Sequence, residues 1–330
     1  MHAIKWILLF ATLIGFVPAA STQSLPTIKV AFNVPGDEAK LLMRAHPEYF
    51  PAIGRDYQIN WMQLQGTATV SQALIAGTAD CGVNAPLTLA QAITGAGLKP
   101  ILIGAIIGES PQSFTSYWAV KEDSPIRTVK DLKGKTVAVN TIGSQLDAFT
   151  RIWLKQNGLD PKHDVNIAEV PFPLSEAALR QGRVDAIVLV QPFATRAEKT
   201  GGLRKLGALR DVQPNLLNLV EACRQDFVDA HPKVAAQYAR DFAAASKRFS
   251  QDHAASIALL SDILKMPKPA LESFMFTSHD YQRYPDGAVD VQVVQKSFDL
   301  FYDNGLLAKK LDANAYIRPG ISLVAHQDSK

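Results

Sequence analysis

The sequence predicts an α/β fold built on doubly wound, mostly parallel sheets. Short apolar or β-branched runs alternate with amphipathic helical stretches, and short turns connect them. The clearest run is 135–140 (KTVAVN), which Gly134 precedes and Gly143 follows. Such a run is typical of a strand that is buried on both faces of a parallel sheet. Ligands on these sheets bind at the carboxyl ends of the strands, so the turns after the strands are the candidate binding positions.

Length and composition limit the function classes. The chain has 330 residues, of which 47% are hydrophobic, so it has room for two lobes or for one large α/β domain. The formal net charge is only +3 and both signs are mixed along the chain. A basic patch that would indicate a nucleic-acid partner is therefore not expected.

The first residues have the pattern of a targeting segment. Lys5 supplies positive charge, residues 6–17 form an apolar run, and small residues follow at 18–21. The run is short for a membrane-spanning helix. Residues 1–22 are therefore predicted to be a signal peptide. Because no cysteine follows the run directly, we expect export to a Gram-negative periplasm without a lipid anchor.

The chain has two cysteines, Cys81 and Cys223. In an oxidising compartment they could form a disulfide, but the sequence does not give the distance between them. The interpretation favoured from the sequence is two unpaired, buried side chains.

The first half of the chain contains a regular series of strands and helices. Strands are expected at 27–32, 59–65, 81–83 and 100–107, and helices between them at 37–44, 66–75 and 87–94. Asp37 is expected to cap the first helix. Polar residues that follow the strand ends are the binding candidates of this half: Asn33, Gln65, Thr67 and Asn84.

The second half is organised around residues 128–159. Gly143 permits a tight turn after the strand 135–140, and Ser144 can cap the helix that ends at Asn157. The N–H groups at this helix start would form a cradle for an anion. Further strands are expected at 115–120, 164–170, 187–190 and 216–223, and further helices at 175–181, 234–249, 254–264, 269–274 and 288–305.

Several motifs in both halves carry a family resemblance. They are the turn 131–135 (DLKGK), Gly143 with Ser144, and a Gly-x-x-Asp turn before a strand, which occurs at 77–80 and again at 182–185. The stretch 182–198 (GRVDAIVLVQPFATRAE) adds a proline in the loop after its strand. Together they resemble the periplasmic solute-binding proteins of ABC transporters, in the family that binds nitrate, taurine and alkanesulfonates.

The resemblance implies a periplasmic-binding-protein type 2 fold with two lobes joined by two crossing strands, near 117–120 and 216–221. The lobes would comprise residues 23–118 with 219–330, and residues 119–218. A small anion would bind between them and pass to an ABC permease, with a monomeric protein and no cofactor. The residues expected to contact it are Asn33, Gln65, Thr67 and Asn84 in the first lobe and Gly143, Ser144, Gln145 and Gln191 in the second. Each could instead be a turn or cap residue. Phe172 and Phe193 could stack on the organic part of the solute or pack in the core.

Enzyme chemistry finds little support in the sequence. The seven histidines are scattered, and no metal-binding or nucleophile motif occurs. Fungal pyrimidine-precursor synthases of thiamine biosynthesis share the expected fold, but their cysteine-rich motif is missing here. We therefore expect a binding protein. A module that signals to a membrane receptor stays an alternative to transport, and the identity of the solute stays open.

Overall fold

The structure is a computed structural model, and it describes residues 25–34 and 36–325. The predicted signal peptide lies outside the described residues. The strands are β1 (Thr27–Phe32), β2 (Gln58–Gln63), β3 (Cys81–Asn84), β4 (Pro100–Glu109), β5 (Tyr117–Lys121), β6 (Thr136–Val139), β7 (Asn166–Glu169), β8 (Ala186–Leu189), β9 (Leu203–Ala208), β10 (Leu216–Arg224) and β11 (Gln282–Arg283). The helices are α1 (Glu38–Ala45), α2 (Gly66–Ile75), α3 (Pro86–Ala96), α4 (Gln145–Gln156), α5 (Phe172–Arg180), α6 (Phe193–Thr200), α7 (Gln225–Ala230), α8 (Pro232–Gln251), α9 (His253–Leu264), α10 (Lys268–Glu272) and α11 (Val291–Asp303). Within these ranges, no helix combines the length and the apolarity that crossing a membrane requires.

Two mixed sheets form the centres of two lobes. The first has the strand order β11-β4-β10-β3-β1-β2, and the second has the order β7-β6-β8-β5-β9. In the first sheet β1 pairs in parallel with β2 and β3, and β10 is inserted between β3 and β4 in the opposite direction. In the second sheet β6 pairs in parallel with β7 and β8, and β5 runs against β8 and β9. Each sheet is therefore mainly unidirectional and contains a reversed strand next to its centre.

The chain passes between the two sheets through residues 110–116 and 209–215, which lie outside the strands. The N–H of Leu209 donates to the carbonyl of Ser116 at 2.9 Å, so the two crossings contact each other. The sequence analysis placed the crossings within β5 and β10. In the structure those two strands begin just after the crossings, and each belongs entirely to one sheet.

The Gly-x-x-Asp turn builds the same junction in both lobes. Gly77 and Gly182 both have φ of +69°, a backbone conformation that favours glycine. Three residues later, the carboxylate of Asp80 accepts a hydrogen bond from the N–H of Lys29, and the carboxylate of Asp185 accepts one from the N–H of Thr136, both at 2.9 Å. The repeated motif therefore fastens β3 to β1 and β8 to β6.

Aromatic packing holds the interior of the second lobe. The indole of Trp118 in β5 stacks on that of Trp153 in α4, with ring centroids 3.9 Å apart. The N–H of Trp118 donates to the hydroxyl of Thr150 at 3.0 Å, so this buried polar group is satisfied. Gly207 in β9 leaves the space for Trp153, because a Cβ at this position would lie 2.7 Å from the ring.

The two cysteines form a disulfide, so the favoured expectation of two unpaired thiols is wrong. Cys81 in β3 lies directly opposite Cys223 in β10, with the Cα atoms 3.9 Å apart. The reversed insertion of β10 brings the two residues together across a sequence separation of 142. Both side chains are fully buried.

Three local expectations also need correction. Asp37 does not cap α1; its buried carboxylate lies 2.9 Å from the ammonium group of Lys40 instead. Helix α5 begins three residues before the predicted position 175, because Pro173 fits the first turn of a helix. The helix α6 and the strand β9 were not predicted.

Candidate functional site

The candidate site lies where the two lobes face each other. Helices α1, α2 and α3 begin at the carboxyl ends of β1, β2 and β3, and α4, α5 and α6 begin at the carboxyl ends of β6, β7 and β8. Both sets of helix N-termini carry backbone N–H groups without partners inside the helix. Such helix ends favour anions, and the strand edges from which they start are where α/β sheets bind ligands.

Gln145 connects the two lobes directly. Its side-chain oxygen accepts a hydrogen bond from the N–H of Leu87 in the first turn of α3, at 3.1 Å. Its side-chain nitrogen donates to the carbonyl of Leu217 in β10, at 3.3 Å. The side chain is buried. This predicted binding residue therefore lies at the contact between the lobes, with both ends of its amide engaged.

Gln191 forms a second connection between the lobes. Its side-chain nitrogen donates to the carbonyl of His279 at 2.9 Å, and its backbone N–H donates to the hydroxyl of Tyr281 at 3.2 Å. Its side-chain oxygen accepts from the hydroxyl of Thr195 at 3.0 Å. Because residues 279–281 precede β11 of the first sheet, the loop after β8 is fastened to the opposite lobe.

Gly143 and Ser144 form the turn before α4, as predicted. Gly143 has φ of +82°. The hydroxyl of Ser144 accepts from the N–H of Asp147 at 3.3 Å and caps the helix. The carboxylate of Asp147 in turn accepts from the N–H of Gly143 at 2.8 Å and pairs with Arg151 at 2.8 Å. A carboxylate therefore already lies at this helix end.

Asn84 is fully buried at the end of β3. Its side-chain oxygen accepts from the hydroxyl of Ser71 at 2.6 Å, and its side-chain nitrogen donates to the carbonyl of Gly82 at 2.9 Å. These two bonds hold α2 and the end of β3 together. The geometry corresponds to the turn-holding alternative that the sequence analysis left open.

Asn33, Gln65 and Thr67 keep more of their hydrogen-bonding capacity. Gln65 is exposed at the N-terminus of α2, and its side chain does not cap that helix. Thr67 is half-buried in the first turn. Asn33 follows β1, and its buried side-chain oxygen has no partner among the described residues. The N-terminus of α2 therefore has no side-chain cap, unlike that of α4.

An apolar rim lies at the carboxyl ends of β6, β7 and β8. We define it as Ile142, Phe172, Leu174 and Phe193. The rings of Phe172 and Phe193 stack with centroids 6.1 Å apart. Leu174 and Ile142 are 60% and 52% exposed, and such exposed apolar groups mark binding surfaces when they are contiguous. The two phenylalanines were expected from the sequence, but Ile142 and Leu174 were not. Ile142 lies in the turn after β6, and Leu174 lies in the first turn of α5.

A buried charge cluster joins the start of α1 to β10 and α8, and it was not predicted from the sequence. The ammonium group of Lys40 contacts the carboxylates of Asp37 and Glu221 at 2.9 and 2.5 Å, and the hydroxyl of Tyr238 donates to Glu221 at 2.8 Å. Burial raises the pKa of Asp37 to about 7 and also raises the pKa of Glu221, although Lys40 opposes both shifts. Burial alone would lower the pKa of Lys40, but the two carboxylates raise it. The lysine therefore stays charged in the interior of the first lobe.

The described residues contain no group of three or more histidine, cysteine, aspartate and glutamate side chains that could hold a metal ion.

Comparison with known proteins assigns the family. The profile of the NMT1-like family matches residues 21–263, which is more than half of the 330-residue chain. The chain belongs to the NMT1-like family. This NMT1-like protein is 28% identical over 275 residues to a protein of Escherichia coli (strain K12) that is named for the binding of aliphatic sulfonates. The match covers 83% of this chain and 81% of that protein.

A solved structure has the same fold. The crystal structure of the periplasmic aliphatic sulphonate binding protein SsuA from Escherichia coli matches with a TM-score of 0.72 and 24% identity, over 90% of this chain and 99% of that chain. The predicted periplasmic-binding-protein fold is therefore confirmed.

A shorter sequence match is to the nitrate import ATP-binding protein NrtC of Synechocystis sp. (strain ATCC 27184 / PCC 6803 / Kazusa). This NMT1-like chain is 22% identical to it over 156 residues, and the match covers 44% of this chain and 23% of that protein.

Proposed function

We propose that this protein captures a small organic anion between its two lobes and delivers it to an ABC permease. The observation that carries the proposal is the N-terminus of α2, which has no side-chain cap. This helix end lies at the carboxyl end of the first sheet, on the side where Leu87 contacts Gln145 of the second lobe. A partial positive charge and free N–H donors at this position favour an anion.

The charged end of the solute binds at α2. Gly66 is exposed, and the space around its Cα is open, so a ligand oxygen can approach the backbone closely. Thr67 supplies a hydroxyl, and Asn33 supplies a side-chain amide at the end of β1. The end of α4 is less suited to an anion, because the carboxylate of Asp147 lies there. In this proposal Gly143, Ser144 and Asn84 shape the walls of the cleft and do not donate to the solute.

The organic part of the solute binds at the apolar rim. The stacked rings of Phe172 and Phe193 offer a flat surface, and the exposed side chains of Leu174 and Ile142 extend it. Burying such groups against an alkyl or aryl chain contributes about 25 cal/mol per Å² of apolar surface removed from water. Nitrate has no apolar part and would gain nothing from this rim. We therefore infer a sulfonate or a carboxylate with an alkyl or aryl group.

Gln145 and Gln191 act as clasps between the lobes. Each donates or accepts a hydrogen bond across the cleft, and each side chain is buried. Closure of the lobes around a ligand is a recurring transition in binding proteins of this kind. These contacts favour the closed arrangement, and the solute adds its own contacts with both lobes.

The relatives support the transport role. The protein of Escherichia coli is named for aliphatic sulfonates, and NrtC is named as an ATP-binding component of nitrate import. We further propose that residues 1–22 direct export to the periplasm, that the mature protein is a monomer without a lipid anchor, and that it is not an enzyme. We also propose two lobes close to the expected ones, which were residues 23–118 with 219–330 and residues 119–218. Their boundaries move into the crossings 110–116 and 209–215, because β5 belongs to the second sheet and β10 to the first.

Thermal unfolding of the chain from residue 23 to residue 330 tests this function. The panel contains alkanesulfonates, aromatic carboxylates, pyrimidines and nitrate at constant ionic strength. A ligand at about 100 times its dissociation constant should add about 2.7 kcal/mol to the free energy of unfolding. We expect a shift with a sulfonate or a carboxylate and none with nitrate. A shift with nitrate alone would contradict the role of the apolar rim, and no shift with any compound would contradict the proposal.

A further inference from the structure

A second cavity lies beside the crossings between the lobes, and its lining contains none of the residues proposed above to bind the solute. Its volume is about 450 Å³, which is within the range of small-molecule sites. Its walls come from both crossings, from the second lobe and from the segment before β11; the residues that matter here are Tyr117, Glu198, Arg204, Lys205 and Arg210. A molecule bound there would contact both lobes and both crossings.

The cavity carries an excess of positive charge. Arg204, Lys205 and Arg210 line it, and Glu198 is the acidic residue in its wall. None of the three basic side chains forms an ion pair with any described residue. The carboxylate of Glu198 instead accepts a hydrogen bond from the hydroxyl of Tyr117 at 2.8 Å.

The neighbouring acidic groups are engaged elsewhere. The carboxylate of Asp211 accepts from the N–H of Ala208 at 2.7 Å. The buried carboxylate of Glu109 accepts from the hydroxyls of Thr115 and Ser116, at 2.8 and 2.7 Å. The three basic side chains outnumber the acidic residue in the wall, and a bound anion would add to the partial compensation that Asp211, Glu198 and Glu109 provide.

Arg204 and Arg210 are held in place by hydrogen bonds, and each keeps an N–H group without a partner among the described residues. Arg210 donates to the carbonyls of Pro111 and Ser113, at 3.3 and 2.9 Å, and Arg204 donates to the carbonyl of Ile126 at 2.6 Å. The Nε atom of each guanidinium is buried and has no partner among the described residues. Fixed guanidinium groups lose little freedom when they bind an oxyanion, and their planar donors match its oxygens.

Lys205 adds a third cation to the cavity, beside Tyr117. Its ammonium group lies 5.4 Å from the centre of the Tyr117 ring. Partial burial and the nearby Arg210 lower the pKa of Lys205, which is the effect expected of a local positive potential. An anion bound near this group would oppose that lowering of the pKa.

We propose that this cavity is a binding site for a small oxyanion, such as sulfate or a short dicarboxylate, that is distinct from the cleft. The guanidinium groups of Arg204 and Arg210 donate to the anion, and Lys205 balances its charge.

Calorimetric titration with sodium sulfate and, separately, with sodium malonate tests the site, with chloride used to keep the ionic strength constant. The test variants are Lys205→Glu and Arg204→Gln. The control is Lys296→Glu, which alters an exposed lysine in α11 and makes the same change of charge as Lys205→Glu. We expect Lys205→Glu and Arg204→Gln to weaken binding of the anion by about fivefold or more, and Lys296→Glu to leave it unchanged. Thermal unfolding of each variant confirms that it is folded.

A cleft variant separates the two sites. Thr67→Glu places a negative charge at the end of α2, so it should repel anions from the cleft and leave the second cavity unaffected. Sulfate binding that persists in Thr67→Glu and is lost in Lys205→Glu would support the proposal. The proposal would be overturned if the unaltered protein did not bind sulfate. It would also be overturned if Lys205→Glu and Lys296→Glu weakened sulfate binding equally, which would indicate an adventitious ion only. Loss of sulfate binding in Thr67→Glu alone would assign the anion to the cleft and would also overturn it.

Discussion

The side-chain oxygen of Gln145 accepts a hydrogen bond from the backbone N–H of Leu87, at 3.1 Å, where the first turns of α3 and α4 meet. The nitrogen of the same amide reaches the carbonyl of Leu217 in β10. A single buried side chain therefore links the second lobe to a helix and a strand of the first. The arrangement of the lobes depends on it more than on any surface ion pair, because exposed ion pairs contribute little.

Replacing Gln145 by alanine should favour an open arrangement. The change removes two hydrogen bonds between the lobes, and each contributes about 0.5–1.5 kcal/mol. Small-angle scattering of the unliganded variant should therefore give a larger radius of gyration than that of the unaltered protein. Gln156→Ala at the exposed end of the same helix is the matched control. Scattering that is identical for the two variants would show that Gln145 does not hold the lobes together.

The disulfide between Cys81 and Cys223 should be a major source of stability. It closes a long loop, since the two residues are 142 positions apart, and it joins neighbouring strands at the centre of the first sheet. The double variant Cys81→Ala, Cys223→Ala should lose about 2–5 kcal/mol in urea unfolding. Thiol titration of the unfolded, unreduced protein should find no free thiol. Two free thiols per chain would contradict the pairing.

The buried carboxylate of Asp37 should make stability fall as the pH rises. Its pKa is raised from the ordinary 3.8 to about 7 by burial, so above pH 4 the folded state keeps a proton that the unfolded state has lost. Between about pH 4 and pH 7 the free energy of unfolding should fall by up to about 1.4 kcal/mol per pH unit. Exposed carboxylates with a lowered pKa, such as Asp131, titrate below this window.

Urea unfolding at several pH values across this window measures the slope. Asp37→Asn removes one of the two carboxylates around Lys40, so the remaining Glu221 and Lys40 form a balanced pair. The slope should be clearly smaller in this variant. An unchanged slope would assign the pH dependence to groups other than Asp37.

The stacked indoles of the second lobe should tolerate no side chain at Gly207. A Cβ there would lie 2.7 Å from Trp153, whose ring is stacked on Trp118. Gly207→Ala should therefore destabilise the protein by about 1–3 kcal/mol, as overpacking does. Gly95→Ala is the control, since nothing lies within 4 Å of a Cβ at this position in α3 and alanine favours the helix. Equal stability of the two variants would show that the lobe interior can adjust.

The parts of the fold that could be predicted are those specified by local sequence. The Gly-x-x-Asp turns at Gly77 and Gly182 need a positive φ that glycine supplies, and the aspartate that follows binds the adjacent strand in both lobes. The Gly143 turn and the Ser144 cap are equally local. These signals lie within a few residues of one another, so the sequence alone reveals them.

The parts that were missed depend on residues distant in the chain. The contact of Lys40 with Glu221 spans 181 positions, and that of Gln145 with Leu87 spans 58. Neither pair has a local pattern. Strand β9 (LRKLGA) was missed because its charged residues and glycine do not follow the pattern of a buried strand. The sequence left two roles open for Asn84 for the same reason, since its partner Ser71 lies in another element.

The measurement that tests the central claim most directly is the dissociation constant of the best sulfonate or carboxylate for Thr67→Glu. An acidic side chain in the first turn of α2 suits the helix dipole, so the variant should be as stable as the unaltered protein. The matched control is Ala254→Glu, an exposed residue in the first turn of α9. If an anion binds at the end of α2, Thr67→Glu should abolish binding while Ala254→Glu leaves it unchanged. Equal affinities in both variants would contradict an anion site at α2.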